Sequence, residues 1–516
     1  MSITSFSFLA LLAVGVFVYY LTPGKIQWIV LLGLSLVFYW CSGFWKTIVY
    51  LLISAASAYC AGLVMLRQRG SENRRASRAA LWIAIGIHVA LWFLVKGKDF
   101  WAPPAVWLLN HVYIDKLNTL VYMQLWSALG MGYYTLQMIG YLIDCYWENV
   151  VPQRNPLKLF LFTAYFPQLT TGPISRYAQL ETLYATHRFS YQNLCFGCQR
   201  ILWGFLKKLI LAECVGKLVS GLMAREFLAG FETWVVILLY PIQMYADFSG
   251  CMDIILGASE LFDIRLAENF RNPFFSRTSQ EFWQRWHITL GSWAKDYVLY
   301  PLLKTRTMIR FGKVCKRRFG KKTGKFLVNM AAMFVLWMVM GIWHGGWRYI
   351  IGVSLWYWMI LMLGELLAPT FQKLTAALHM KTESFSWHLF QSCRTYLIYA
   401  VGATFFHAGV PRAMELLGQA LGVFWKEECF NPWIFFNGSL LETGITHGTV
   451  NLILIMVGLI LVVGVLREKY GYARNWVAQQ SFVFRWLIWI SLFLFLLIWG
   501  SYGPGYSAAQ FIYQGF

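Results

Sequence analysis

Two histidines stand in sequence surroundings that suit acid–base chemistry. His344 lies in "MGIWHGGW", directly after an apolar segment, where the glycines let backbone or substrate approach closely. His287 lies in "FWQRWHITLGSWAKDYVLYPL", residues 282–302, which carries three tryptophans in a mostly apolar chain. A neutral imidazole can take a proton from a hydroxyl group as that group attacks an acyl carbonyl. The alternative for each ring is a core histidine bonded to backbone, and the sequence pattern alone favours it.

Several other kinds of chemistry lack their usual signatures in this sequence. It contains no G-x-x-x-x-G-K-[ST] loop, no H-E-x-x-H and no G-x-S-x-G, the motifs of nucleotide hydrolysis, zinc proteolysis and hydrolase-fold triads. Cys195 and Cys198 form a lone C-x-x-C, which favours structural thiols over a metal or redox site. We therefore expect no metal site.

The composition places the chain in a lipid bilayer. Of its 516 residues 58% are hydrophobic and 13% are charged, whereas about a quarter are charged in soluble proteins. No repeat or long linker divides it, so we expect an all-α polytopic membrane protein with one domain, residues 1–516, and about ten to twelve spans. The apolar runs lie at 5–21, 27–42, 46–66, 80–96, 118–143, 158–174, 232–262, 326–343, 349–367, 390–407, 447–466 and 482–500.

The distribution of Lys and Arg predicts the orientation, because cationic loops are retained in the cytoplasm. Lys25, residues 67–78 and residues 304–325 should lie inside, and the last segment carries ten Lys or Arg and no acid. Both termini and the loop 408–446 should then lie outside. The first apolar run, residues 5–21, has no signal-peptide cleavage pattern and should stay as a membrane anchor. The net charge of +21 lies beside the spans, which favours lipid headgroups as partners over nucleic acid.

The middle third of the chain is irregular. Polar and Gly/Pro clusters break the apolar runs between 145 and 303, and such backbone is tolerated at membrane depth only inside protein or beside a wet cavity. We therefore expect the binding site between about 160 and 350. The pattern from 279 to 297 predicts one amphipathic helix, which starts after Thr278 or Ser279 and places its tryptophans and His287 on one side. Residues 166–177, "FPQLTTGPISRY", read as a broken span or as a simple loop.

Two carboxylates lie in an apolar stretch, "QMYADFSGCMD". A buried charge is costly unless it is paired, so Asp247 and Asp253 should either orient a cavity or, as we favour, pair with a cation. The candidate cations are Arg271, Arg277 and Arg285.

Taken together, these segments resemble the bacterial branch of the membrane-bound O-acyltransferase family. The resemblance rests on "YADFSGCMDIILGASELFDIRLAENFRNPFFSRTSQEFWQRWHITLGSWAKDYVLYPL", "GIWHGGW", "GYYTLQMIGYLIDCYW" and "FPQLTTGPISRYAQL". It covers a core of about 130–360 and is nearest to alginate O-acetyltransferase membrane subunits, with the teichoic-acid D-alanyl transfer protein as a sister. It implies tilted helices around a central funnel or tunnel, with His344 as the essential catalytic residue and His287 as its partner. The expected tunnel-lining residues are Trp283, Trp286, Trp293, Trp343, Asn269, Arg285, Asp247, Ser249 and Gln168.

The resemblance implies an enzyme in a bacterial plasma membrane. It would move a short acyl group, acetyl first, from a cytoplasmic thioester, acetyl-CoA or an acyl carrier, toward a cell-surface polysaccharide. His344 would act as general base or relay nucleophile, and His287 would polarise or position the acyl group. No bound cofactor is expected, but a separate extracytoplasmic transferase is. The alternatives are D-alanyl transfer from a carrier protein toward teichoic acid and, from another class, transport of a small anion.

One segment departs from the family pattern. Where a short loop would follow "YVLYPL", a long cationic loop, residues 304–325, is expected instead. It could attract a CoA phosphate or an acidic carrier protein, but inside-positive topology with lipid contact explains it equally well.

Overall fold

The computed structural model describes residues 1–97, 100, 128–228, 230–422, 436, 438, 440, 443–503 and 506. Within these residues the chain is helical, and its one β-type contact is an isolated bridge between Phe270 and Trp286. The longer helices are α1 Phe6–Leu21, α2 Gln27–Cys41, α3 Ile48–Arg67, α4 Arg75–Val95, α5 Met131–Tyr146, α6 Pro156–Ala164, α7 Tyr191–Leu206, α8 Glu213–Met223, α9 Gly230–Glu260, α10 Ser279–Arg285, α11 Ile288–Ala294, α12 Arg306–His344, α13 Trp356–Ala377, α14 Phe385–Ala408, α15 Val410–Ala420, α16 His447–Tyr470 and α17 Phe482–Trp499.

Shorter elements join these helices. Three are π-helical, Lys207–Ala212, Lys295–Leu299 and Ile350–Leu355, and four are 3₁₀ turns, Gly24–Ile26, Trp45–Thr47, Tyr177–Tyr184 and Pro273–Phe275. The remaining short α-helices are Phe166–Leu169, Tyr300–Leu303, Trp347–Tyr349 and Ala473–Ala478.

Among the described residues, eight helices are long and apolar enough to cross a membrane. This confirms the prediction of an all-α polytopic membrane protein, while the total of ten to twelve spans stays a prediction. The apolar helix Phe6–Leu21 is shorter. The eight are Gly24–Cys41, Trp45–Arg67, Arg75–Val95, Gly230–Glu260, Arg306–His344, Trp347–Ala377, His447–Tyr470 and Phe482–Trp499.

One predicted run is not a continuous span. The run 158–174 divides into α6 and the short helix Phe166–Leu169, and residues 172–176 are not helical. Tyr165 between the two helices has non-helical torsions, and Pro167 in the first turn of the second has no N–H to donate. The predicted break in this region is therefore confirmed, while its assignment as a span stays a prediction. In the run 118–143, residues 118–127 lie outside the described part of the chain.

A long helical element between the predicted runs was missed. Helix α7, the π-helical segment Lys207–Ala212 and α8 follow one another from Tyr191 to Met223. Sequence hydropathy misses it because Arg200, Lys207 and Lys208 interrupt it.

Glycines let this element pack against α9 backbone to backbone. A Cβ on Gly204 would lie 2.6 Å from the carbonyl oxygen of Gly250, and one on Gly197 would lie 2.8 Å from that of Gly257. Each pair is seven residues apart on its helix, so both pairs lie along one contact line.

The cationic segment 304–325 is helical, whereas a loop was expected. Helix α12 starts at Arg306 and is interrupted at Gly320, which has φ 79° and ψ 171°. A Cβ on Gly324 would lie only 2.7 Å from the backbone nitrogen of Lys316, so the first part of the helix folds back along the second. Residues 306–319 are amphipathic, because Arg310, Lys313 and Arg317 share one face at helical spacing.

The glycine contact yields a test of the fold. We expect Gly204→Val to lower the stability of the folded protein by about 1–3 kcal/mol, because the backbone of Gly250 cannot move aside for the new methyl groups. The measurement is the fraction that stays monodisperse in detergent after heating. Gly364→Val is the matched control, since nothing lies within 4 Å of a Cβ at that position of a spanning helix. Equal melting of the two variants would contradict the close contact of α7 with α9.

Candidate active site

His287 lies at a break between two short helices. Trp286 is extended, with φ −109° and ψ 128°, and His287 is left-handed, with φ 47° and ψ 51°. The prediction of one continuous amphipathic helix is therefore wrong. The chain bonds to a neighbouring segment instead, since Arg271 N donates to Arg285 O at 2.9 Å and Ile288 N to Asn269 O at 3.0 Å.

The predicted start of this segment is confirmed. The hydroxyl of Thr278 accepts a hydrogen bond from Glu281 N at 3.1 Å and caps helix α10.

The side chain of Asn269, which is 1% exposed, binds both His287 and the helix that follows it. Its Oδ1 lies 3.2 Å from His287 Nδ1, and it accepts bonds from the backbone nitrogen and hydroxyl of Thr289 at 3.1 and 2.9 Å. Thr289 Oγ1 in turn accepts a bond from Ile174 N at 3.0 Å. Asn269 therefore fixes a left-handed residue that would be strained elsewhere.

His344 is the last residue of α12. Gly345 and Gly346 follow with φ 81° and 80°, which ends the helix in a conformation that suits glycine. Trp343 contacts both histidines, with its ring centroid 4.8 Å from that of His344 and 6.4 Å from that of His287. The indole of Trp343 is itself fixed, since its Nε1 donates to Gly132 O at 3.1 Å.

Both histidines line one cavity of about 1730 Å³. The cavity follows α12 from Lys325 to His344, a distance of about 28 Å at 1.5 Å per residue. Its other end lies among polar and charged side chains, so it joins the cationic end of the molecule to the two imidazoles. Beside the histidines its walls are mainly apolar and aromatic, and they include Trp283, Trp286, Leu290, Trp337, Tyr357 and Phe406.

The residues expected to line a tunnel fall into two groups. Trp283 and Trp286 line the cavity with the histidines. The other seven do not line the cavity and bond to protein groups instead. The pairs are Trp293 with Leu136 O, Gln168 with Ser175, Arg285 with Glu281 and Glu468, Ser249 with Lys207, Trp343 with Gly132 O, Asn269 with Thr289, and Asp247 with Lys208.

The buried carboxylates pair with cations of the missed helix. Asp247 lies 2.7 Å from Lys208 Nζ, and Asp253 lies 2.6 Å from Lys207 Nζ and 2.9 Å from Arg200 Nε. The prediction of pairing is confirmed, but the three candidate arginines were wrong, because they lie on the segment 271–285. The signal that sequence reading overlooked is the spacing of Arg200 and Lys207, seven residues apart on a helical face.

A further carboxylate extends the Asp253 cluster toward the loop that carries Asn269. Glu268 lies 2.8 Å from Arg200 and 3.4 Å from Arg467, and accepts a bond from Tyr472 at 3.1 Å. Burial alone would raise the pKa of Glu268, but the attraction of Arg200, its hydrogen bond to the carboxylate and the charge of Arg467 together hold this pKa below its usual range. The loop is therefore anchored by a charged group next to Asn269.

Within the described ranges, no group of three or more His, Cys, Asp or Glu could hold a metal ion. The arrangement that remains is two imidazoles at the end of an apolar, aromatic cavity. Such a site can accept and return protons beside an apolar or acyl ligand.

Comparison with known proteins finds relatives among acyl-transferring enzymes, although no family model matches. A probable alginate O-acetylase of Azotobacter vinelandii is 29% identical over 335 residues, which cover 64% of this chain and 62% of the relative. The peptidoglycan O-acetyltransferase of Helicobacter pylori is 28% identical over 355 residues, 63% of this chain and 61% of the relative. The teichoic acid D-alanyltransferase of Streptococcus thermophilus is 31% identical over 233 residues, covering 43% and 54%. The match thus spans less than two thirds of the length of each of these relatives.

The ion pair of Asp247 yields a test. We expect Lys208→Gln to destabilise the protein by about 3–5 kcal/mol, because it removes the lysine that pairs with the buried carboxylate of Asp247. Asp247→Asn should destabilise it less, because Lys208 keeps its ion pair with Glu213 at 3.1 Å. The double variant should recover much of that loss. The measurement is thermal stability in detergent for all four proteins. Additive losses in the double variant would contradict the pairing and favour a separate role for Asp247.

Proposed function

We propose that this chain is a membrane O-acyltransferase, on the premise of its similarity to an alginate O-acetylase, a peptidoglycan O-acetyltransferase and a teichoic acid D-alanyltransferase and of the family that its motifs resemble. The observation that carries the proposal is the single cavity that joins the cationic end of the molecule to His287 and His344. Imidazoles in the wall of a mainly apolar passage suit transfer of an uncharged acyl group.

The acyl donor in this proposal is a thioester, acetyl-CoA or an acyl carrier. A thioester carbonyl is already activated, so the step needs neither a nucleotide-binding motif nor a bound cofactor. The donor enters at the cationic end, which the inside-positive rule places in the cytoplasm with both termini outside. The chain is then a multi-pass protein of a bacterial plasma membrane.

We assign the acyl group as acetyl and the acceptor as a cell-surface polysaccharide. Two of the relatives are named for O-acetylation, of alginate and of peptidoglycan. D-alanyl transfer toward teichoic acid is the second candidate, and the observation that favours it is the 31% identity to the D-alanyltransferase. In this proposal the chain is a single membrane domain, and a separate extracytoplasmic transferase or the polysaccharide itself receives the group.

Within the site, His344 acts as general base or relay nucleophile, with His287 as its partner. Trp283 and Trp286 wall the acyl passage. Seven further residues do not line the cavity but hold the segments that form its wall. They are Trp293, Trp343, Asn269, Ser249, Gln168, Asp247 and Arg285.

The first test removes the His344 imidazole. We expect His344→Ala to abolish acetylation of the surface polymer, because the group that takes the proton or the acyl chain is lost. The measurement is mass spectrometry of acyl groups released by base from the polymer, at matched membrane levels of protein. His447→Ala is the control, since this histidine is exposed and lies outside the cavity.

The identity of the lost group separates the candidates. Acetate that disappears only in His344→Ala supports polysaccharide O-acetylation, and D-alanine that disappears supports the teichoic-acid alternative. If neither group changes, the acyltransferase assignment is wrong.

A second test concerns the cationic face of residues 306–319, a segment that follows Leu303, one of the residues that line the cavity. We expect the triple change Arg310→Gln, Lys313→Gln and Arg317→Gln to raise KM for an anionic thioester donor by about tenfold, equivalent to about 1.4 kcal/mol, with kcat unchanged. The effect should vanish in high salt.

The control for this test is Arg67→Gln with Arg75→Gln. These residues are exposed cations of another basic loop and do not line the cavity. An unchanged KM at low salt in the triple variant would assign the cationic face to topology and lipid contact instead.

A further inference from the structure

The hydrogen bonds of Asn269 determine which nitrogen of His287 carries a proton. A backbone nitrogen can only donate, so the Asn269 atom 3.1 Å from Thr289 N must be the amide oxygen. An amide oxygen can only accept, so His287 Nδ1, 3.2 Å from the same oxygen, must carry the hydrogen. The neutral ring then bears its lone pair on Nε2.

The rest of the network agrees with this assignment. The Thr289 hydroxyl donates to Asn269 Oδ1 at 2.9 Å and accepts from Ile174 N at 3.0 Å, so each of its roles is filled. The Asn269 amide nitrogen points the other way, 3.6 Å from the sulfur of Met252. Of the two neutral tautomers of His287, only the one with the hydrogen on Nδ1 satisfies the same contacts.

Nε2 of His287 has no hydrogen-bond partner in the part of the chain that the structure describes. This atom is buried and has no hydrogen bond to any described residue, and the whole residue is 5% exposed. His287 nevertheless lines the cavity together with His344. A buried acceptor without a partner is costly, and at the end of a ligand-sized cavity it marks where a donor group of a ligand binds.

We propose that Asn269 is a positioning residue that holds His287 as its Nδ1–H tautomer and thereby makes Nε2 of His287 the proton acceptor for the attacking hydroxyl group. The proposal rests on the acyltransferase function and deepens it. It also narrows the role of His287, because a bare Nε2 cannot donate a hydrogen bond to polarise a carbonyl oxygen.

With His287 as the proton acceptor, His344 takes the relay role. A ring nitrogen of His344 bonds to the acyl carbon of the thioester, the carbon–sulfur bond breaks, and the thiol leaves with the proton of that ring. The oxygen of the acceptor hydroxyl then bonds to the acyl carbon as His287 Nε2 takes its proton. The bond from the acyl carbon to His344 breaks, and the His287 imidazolium returns the proton to the His344 ring. The products are an ester and a thiol, and both rings return to their first state.

The backbone around Asn269 is fixed on both sides, as a positioning role requires. Glu268 is held by Arg200 and Arg467, and Asn272 donates to Gly464 O at 3.0 Å and to Glu468 at 2.9 Å. Phe248 packs edge-on against the imidazole with centroids 5.0 Å apart. The ring is therefore restrained by contacts on helix α9 as well as by the loop.

The titratable and charged groups nearest the ring share its cavity or are paired with other side chains. His344 lines the same cavity as His287, and Trp343 contacts both rings. On the neighbouring element α9, Asp247 is paired with Lys208, and on the segment of His287 itself Glu281 is paired with Arg285, while Lys295 lines the cavity further along.

The first experiment measures the pH dependence of acyl transfer by the full-length protein in liposomes, with acetyl-CoA as the donor probe. Asn269→Asp keeps the size of the side chain and the oxygen that accepts the hydrogen bond from His287 Nδ1. Its negative carboxylate, however, stabilises the protonated imidazole of His287. We expect the acid-side midpoint of kcat to move at least one unit to higher pH, the direction and size that an adjacent opposite charge produces. Asn269→Ala should lower kcat at least tenfold with little change in KM.

The control is Asn272→Ala, which removes bonds of the same loop without touching the histidine. It should leave the midpoint where it is in the wild-type protein. A midpoint that stays fixed in an active Asn269→Asp protein would overturn the proposal, and so would an equal shift in Asn272→Ala.

A second experiment reads the tautomer without activity. Protein with ¹⁵N-labelled histidine rings is reconstituted in lipid, and the His287 resonances are assigned by comparison with His287→Gln. We expect protonated Nδ1 and bare Nε2 at neutral pH. Bare Nδ1 would overturn the proposal even in an active enzyme. Absence of acyl transfer by the wild-type protein would instead overturn the acyltransferase function, and the proton-acceptor role with it.

Discussion

The site depends on one constraint, the need of non-helical backbone inside a membrane protein to find hydrogen bonds within the protein. Three irregular segments meet beside the cavity and satisfy one another. Arg271 N and Asn269 O bond to the break at 285–288, and the Thr289 hydroxyl accepts from Ile174 in the broken segment after α6. Asn269 closes this network and sets His287 in a left-handed conformation that a continuous helix would not allow. The break in the helix is what places the imidazole at the cavity wall.

The helices that surround these segments are held together by polar as well as apolar contacts. Cations of the element 191–223 pair with carboxylates of α9, and glycines let the two backbones touch. Buried ion pairs contribute little net stability but penalise any other register of the two helices. Because Glu268 joins the same cluster, the register of α7 and α9 also fixes the loop that carries Asn269.

Sequence reasoning predicted the class of fold and most of the helices that are long and apolar enough to cross a membrane, because hydropathy is a local property. That the site lies between about 160 and 350 stays a prediction. Sequence reasoning did not predict the element 191–223, whose charges look unsuitable for a span until their partners on α9 are seen. The pairing of Asp247 was expected, but Lys208 could not be identified, because contacts between distant helices are not visible in a local pattern. The continuous helix 279–297 was wrong for the same reason. The hydrogen bonds that interrupt this helix at Trp286 and His287 come from residues 269–271. The helical periodicity of residues 279–297 gives no indication of these bonds.

The central claim is that one passage carries an acyl group from the cationic end of the molecule to the paired histidines. The most direct measurement supplies a labelled acetyl thioester to one face of sealed, oriented vesicles that contain the protein, and follows label transferred to an acceptor on the other face. We expect transfer only when the donor is supplied on the side of the membrane that carries residues 306–325. The protein without the His344 imidazole should transfer no label. Equal transfer from either face, or transfer that survives loss of that imidazole, would contradict the central claim.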